Sequence, residues 1–202
     1  MKKITIGLPN ATGDTRNDWS VMLAGMCSYL TSQHYDIELV TVDRSFIDMA
    51  RNVIAEIAIG NDSDYLFFLD ADTYIDLDGV DKMVKLDKDI VSPPVADRKG
   101  NKGLNIVNEG LNKLLHVDET KQVTGIGMAC TLIKREVLVA MAGEYQTPFE
   151  FSTVMVNDKK VNMGEDIGYC VRANEKFGFE TWCIRGIKTT HLGEPKKYTY
   201  EG

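Results

Sequence analysis

Apolar positions along the chain switch between alternation and helical spacing, and those switches predict most of its elements. Lys3 to Leu8 reads as a short strand, and Asp18 to Leu30 carries helix-spaced apolar residues at Val21, Met22, Leu23, Met26 and Leu30. Ile37 to Val42 predicts a second strand. Ser45 opens a helix running to about Ile59, with Asp48 at the capping-box position and Gly60 as its stop. A continuous apolar run, Tyr65 to Leu69, then predicts a third strand. Two strand–helix units before a third strand imply parallel pairing with right-handed crossovers, as in a nucleotide-binding half-domain. Neither a G-x-G-x-x-G nor a Walker loop is present, which argues against the dinucleotide and P-loop modes.

Beyond the third strand the rhythm is less regular. Asp78 to Leu86 reads as a short helix and Asp89-Ile90-Val91 as a strand halted by Pro93-Pro94. Val95 to Gly103, with Arg98, Lys99 and Lys102 among glycines, reads as a basic loop. Short β-type runs follow at Leu104 to Asn108, Leu114 to Glu119, Gln122 to Thr124 and Met128 to Ile133. A helix from Arg135 to about Ala142 precedes a hairpin-like stretch, Phe149 to Val161, turned at Asn157-Asp158. A helix at Asp166 to Phe177 and strands at Thr181 to Ile184 and Ile187 to Thr190 complete the pattern. At 202 residues one domain is expected, with a nucleotide-binding half at about 1–94, an acceptor and catalytic half at about 95–194, and a tail at 195–202.

Composition narrows the function classes. With 44% apolar and 26% charged residues the chain is globular in character, and a net charge of −7 argues against a nucleic-acid surface, which needs clustered Lys and Arg. An anionic small substrate stays compatible, because a bound divalent metal supplies positive charge locally. Cys27, Cys130, Cys170 and Cys183 lie far apart with no metal-ligand spacing, so reduced core thiols are expected. The N-terminus reads as a strand rather than a leader, and no run reaches the length of a membrane span, so the expected location is cytoplasmic.

The candidate chemistry starts where the third strand ends, at Asp70-Ala71-Asp72. In an extended segment positions i and i+2 face the same side, so the two carboxylates are placed to converge on one hard cation. The edge beyond the strands' C-termini is where open α/β sheets bind ligands. A solvated acidic loop is the plain alternative, but carboxylates at the mouth of a buried strand are costly without a cation between them. Gly164-Glu165-Asp166 precedes a helical pattern, which puts both acids in a first turn, where the helix dipole stabilises them. They serve either as plain caps or, for one of them, as a general base; spacing alone does not choose between Asp166 and Glu165. His191 ends a β-type run; a lone histidine there serves either as a structural residue or, with the two carboxylates, as the ligand that would complete a mixed oxygen and nitrogen shell suited to manganese, less ideally magnesium. His34 and His116 have no motif around them.

In order along the chain these pieces resemble the GT-A glycosyltransferases, above all the family 2-like branch and its short viral and phage relatives. The residues that carry the resemblance are Leu8-Pro9-Asn10-Ala11-Thr12, Arg51-Asn52, the D-x-D at Asp70 and Asp72, the run Gly125 to Arg135, Gly164-Glu165-Asp166 and His191-Leu192-Gly193. The resemblance implies a mixed α/β sheet of Rossmann-like, nucleotide-diphospho-sugar transferase type and a nucleotide-sugar donor, with UDP as the expected nucleotide. It implies a metal, Mn2+ or Mg2+, held by Asp72 and His191, with Asp70 at the ribose or in the metal shell through water. Pro9, Asn10 and Arg51 would lie near base and ribose, with Asn52 adjoining, and Asp166 would take the proton of a glycan or other hydroxyl acceptor as it attacks, inverting the anomeric centre. Arg98 or Lys99 on the basic loop would cover the diphosphate. Few residues follow His191, where many relatives carry an acceptor-shaping region, so the acceptor is not implied; nor is the oligomeric state.

Two other readings use the same residues. Phe67 to Thr73 also resembles the D-x-D-x-T strand of haloacid-dehalogenase-type phosphatases, in which Asp70 would attack phosphorus, although that pattern belongs near an N-terminus and requires a second acidic pair on a strand end. The dense acids Asp70, Asp72, Asp76 and Asp78 suggest metal or sugar binding without turnover. An EF-hand does not fit, because aligning Gly79 to the invariant glycine puts Tyr74 and Lys85 at the first and last ligand positions.

Overall fold

A computed structural model describes residues 1–96, 103–108, 111–156, 159–192 and 197–200. The first half runs β1 (Lys3–Asn10), α1 (Asn17–Ser32), β2 (Asp36–Asp43), α2 (Ile47–Gly60), β3 (Tyr65–Leu69), β4 (Thr73–Ile75), α3 (Gly79–Leu86) and β5 (Ile90–Ser92). The second half adds β6 (Ile106–Asn108), β7 (Asn112–Lys113), β8 (Lys121–Val123), β9 (Gly125–Ile126), β10 (Cys130–Lys134), α4 (Arg135–Glu144), β11 (Ser152–Val156), β12 (Lys159–Met163), α5 (Glu165–Phe177), β13 (Thr181–Cys183), β14 (Thr189–Leu192) and β15 (Lys197–Tyr200). The expected basic residues Arg98, Lys99 and Lys102, and the turn at Asn157-Asp158, lie outside the described residues.

Among the described residues the main sheet has seven strands in the order β2-β1-β3-β10-β5-β13-β8. β1 pairs in parallel with β2 and β3, as the two strand–helix units predicted, and β13 pairs in parallel with β5. β10 runs antiparallel between β3 and β5, and β8 antiparallel to β13. This is a mixed α/β sheet flanked by helices, the GT-A architecture.

Alternate residues of β3 explain its unbroken apolar run. Leu66 and Phe68 join the core built by Ile54 and Ala58 of α2, Val137 and Met141 of α4, and Tyr169 and Ala173 of α5. Tyr65, Phe67 and Leu69 face the opposite core, with Leu23, Met26 and Leu30 of α1 and Val80 and Met83 of α3. A strand covered on both faces has no polar side to show. Each fully buried Phe or Leu contributes about 1.5–3 kcal/mol. α2 lies so close to β1 that a Cβ built on Gly7 would stand 2.4 Å from Ile54 Cγ2, so Ala there would force the Ile54 side chain or α2 to shift.

Several local expectations shift. α2 begins at Ile47, with Phe46 as its N-cap and no side-chain capping bond, so the Ser45–Asp48 capping box does not form. Val21, read as part of an apolar helix face, is 72% exposed; Trp19 takes the buried position instead. Leu114 to Glu119 is not a strand, and the short strand β4, unanticipated, pairs with β14. No helix among the described residues is long and apolar enough to cross a membrane.

Candidate functional site

Asp70 and Asp72 do not sit on an extended strand. β3 ends at Leu69, and Thr73 N–H donates to Asp70 O at 3.0 Å, which closes a tight turn into β4. The turn is held from both sides: Asp70 N–H donates to Ala129 O at 2.9 Å, and Trp19 Nε1–H to Thr73 O at 3.0 Å. In a turn the i, i+2 rule of strands lapses, and the two carboxylates meet different partners. Asp70 Oδ1 accepts from Arg51 Nη2 at 3.3 Å, while Asp72 Oδ1 lies 3.5 Å from His191 Nε2.

The pairing of β14 with β4 brings His191 there. His191 stands opposite Thr73 in the register, and Leu192 N–H donates to Asp72 O at 2.9 Å. The ring is 4% exposed, and its Nδ1 lies 2.7 Å from Ala96 O. A carbonyl only accepts, so Nδ1 carries a proton and Nε2 is the atom presented to Asp72. That outer hydrogen bond to a backbone carbonyl is the arrangement that orients metal-bound imidazoles. Among the described residues no three His, Cys, Asp or Glu side chains converge into a ready-made cation cage. Asp72 and His191 are the side chains here that could together contact a divalent ion.

Arg51 and Glu165 form a buried ion pair, with side-chain exposures of 4% and 8%. Burial pushes the Glu165 carboxyl upward, opposed by the Arg51 guanidinium and reinforced by Asp166 and Asp70. Asp166 is the next residue of α5, and its Oδ1 accepts from Ile167 N–H at 2.7 Å. Gly127 gives it room: a Cβ there would stand 3.4 Å from Asp166 Oδ2 and 2.9 Å from Asn105 Cβ.

One cleft of about 870 Å³ unites these groups. Its walls include Pro9, Asn10, Arg51, Asp70, Asp72, Glu165, Asp166 and His191, so these eight candidates for catalysis, nucleotide or metal border a single hollow at the C-terminal edge of β1 and β3. Asn10 is committed within its own loop: its Oδ1 accepts from Thr12 Oγ1 and Gly13 N–H, and its Nδ2 donates to Asp14 O. Asn52 does not reach the cleft; its amide binds both backbone groups of Phe149. Asn105 and Met128 also line the hollow, and Asn105 had no sequence signal. A shallower hollow of about 550 Å³ lies at Tyr65 and Arg135, at the N-terminal end of β3, away from this constellation.

No protein-family model matches the chain, and no curated protein matches it. Among solved structures, A197 from STIV superposes with a TM-score of 0.63 at 17% identity, covering 100% of this chain and 95% of that one. At that identity the likeness establishes the fold alone. HddC from Yersinia pseudotuberculosis complexed with GMP-PN gives 0.40 at 16% identity, over 88% of this chain and 100% of its own. UTP-bound UGPase from Acinetobacter baumannii gives 0.43 at 7%, over 93% and 71%. Neither of the last two is close enough to bear on the argument.

Proposed function

We propose that this chain is a metal-dependent glycosyltransferase that moves a sugar from a nucleotide-sugar donor, with UDP as the expected nucleotide, to an acceptor hydroxyl with inversion. The observation that carries the reading is the meeting of Asp72 with an oriented His191 in the cleft that also receives Asp166. Asp72 and His191 would hold Mn2+ or Mg2+, which when bound supplies Lewis-acid neutralisation of the departing diphosphate. Pro9 and the loop organised by Asn10 form the wall assigned to the nucleotide.

Of the two acids opening α5, Glu165 is engaged by Arg51, which leaves Asp166 as the proton acceptor. Its Oδ1 is tied to the Ile167 amide, so Oδ2 takes the acceptor's hydroxyl proton as the new C–O bond forms and the bond to the diphosphate breaks. The phosphatase alternative requires Asp70 as a nucleophile, yet that carboxylate faces a guanidinium, and the second acidic pair opens a helix rather than ending a strand.

The test is a thermal-shift panel of UDP, GDP, ADP and CDP and their glucose conjugates, with and without Mn2+. One nucleotide should stabilise the protein only with metal, by about 2.7 kcal/mol at a hundred times its Kd. Asp166→Asn should keep that shift and lose turnover. Metal-independent shifts, or none with any nucleotide, would overturn the proposal, and a phosphorylated Asp70 trapped from a phosphate ester would replace it.

A further inference from the structure

Arg51 lies on α2, Asp70 at the end of β3 and Glu165 at the first turn of α5, three elements far apart in sequence. The guanidinium joins them: Nη2 lies 3.3 Å from Asp70 Oδ1, and Nη1 donates to Glu165 Oε1. The guanidinium also lies over the Phe68 ring, its Cζ 5.8 Å from the centroid, within the range of a cation–π contact. We propose that Arg51 is a positioning residue, a tie that fixes the D-x-D turn against the start of α5 and thereby sets Asp166 relative to the metal-binding pair, rather than a nucleotide ligand.

The physical case rests on how few alternatives these groups have. Glu165 is buried at a helix start, and among the described residues its ion-pair partner is Arg51. Removing that cation leaves a carboxylate with strong reason to turn toward water, and the neighbouring Asp166 belongs to the same helical turn. Lysine retains the charge but is a single point donor on a flexible stem, unable to fork between two carboxylates as a guanidinium does. The hydrogen bonds of the first turn, such as Gly168 N–H to Gly164 O, then lose their anchor to the sheet.

This assignment rests on the glycosyltransferase reading, and the experiment separates the two. The variants are Arg51→Lys and Arg51→Lys combined with Glu165→Gln. The probes are the nucleoside diphosphate chosen by the panel with Mn2+, and release of that diphosphate from its glucose conjugate. Arg51→Lys should reduce release by about a hundredfold, the scale expected when a catalytic group is misplaced by an ångström, while the Kd for the metal-bound diphosphate stays within a few-fold. Amides 166–169 should exchange faster with solvent. The double variant removes the stranded carboxylate and should regain thermal stability without regaining release.

Recovery of both stability and release in the double variant would reduce Arg51 to a folding role and overturn the proposal. A loss of diphosphate affinity that accounts for the whole defect in Arg51→Lys would make Arg51 a nucleotide ligand, also overturning it. Failure of the wild-type protein to bind any diphosphate with Mn2+ would sink the glycosyltransferase reading itself, a result visible before any variant is made.

Discussion

Replacing Asn52 by alanine should destabilise the protein strongly and leave nucleotide binding untouched. Asn52 Oδ1 accepts from Phe149 N–H at 2.9 Å, and its Nδ2 donates to Phe149 O at 2.8 Å. Phe149 is fully buried, stacked on Tyr169 at 4.2 Å and edge-on to Phe68 at 5.4 Å, so its backbone has no ready access to water. Alanine therefore orphans one donor and one acceptor, at about 1–3 kcal/mol for each buried group, or roughly 2–6 kcal/mol together. For a chain of this length that corresponds to a fall in Tm of roughly 5–15 °C. Urea unfolding should show a lower midpoint at unchanged slope. The Kd for the metal-bound diphosphate should stay within about twofold, because Asn52 faces a cavity of about 80 Å³ shared with Tyr145 and Tyr169 instead of the cleft. A loss below about 0.5 kcal/mol would refute the reasoning, since surface substitutions reach that much; so would weakened binding at full stability.

Burial raises the thiol of Cys130 well above its usual range and pushes those of Cys170 and Cys183 up to about 12, so intact-mass measurement after brief alkylation of native protein at mildly alkaline pH should find Cys27, which is half-buried, labelled first. Gly127→Ala would crowd Asn105 and Asp166 Oδ2 and should lower turnover about tenfold or more with little change in Kd; unchanged turnover would show that the wall yields. Glu165 gives a pH prediction. Its carboxyl is raised above the ordinary 4.5, so it binds its proton more tightly when folded. The stability this contributes is present below the unfolded value and lost as pH rises through the folded one. Wild type should therefore lose stability relative to Glu165→Gln across that window in urea melts, and a gap moving the other way would contradict the burial argument.

The sheet's first half was legible because each element carries its own periodicity: Tyr65 to Leu69 has five apolar residues in a row and is buried on both sides. The acids and histidine of the cleft were legible as residues, but their pairings were not. Nothing in the neighbourhood of Arg51 announces a partner 114 positions away, and β4 is three residues long, too short to register until β14 pairs with it. The Ser45–Asp48 box does not form because the helix starts one residue later than expected: Phe46 takes the N-cap, with no hydroxyl or carboxylate to bond the first-turn amides. Of the run Leu114 to Glu119, Leu114 exchanges backbone hydrogen bonds with Leu104 and Ile106 but the pairing does not continue into a strand; Val117 is buried in the same core as Tyr169.

The turn at Asp70 to Thr73 changes what a D-x-D means in this chain. On a strand the two acids would share one cation; in the turn they divide the work, Asp70 facing a resident guanidinium and Asp72 a histidine. Among the described residues lining the cleft, five carboxylates, Asp14, Asp70, Asp72, Glu165 and Asp166, stand against two guanidiniums, Arg16 and Arg51. Arg16 is paired with Asp18 and Arg51 with Asp70 and Glu165, so both guanidiniums already have carboxylate partners. On the glycosyltransferase reading, a diphosphate approaching these described residues would meet negative charge, and a divalent ion held by Asp72 and His191 would supply attraction. That reading predicts ordered binding, metal before nucleotide, which titration of the nucleoside diphosphate with and without Mn2+ would check.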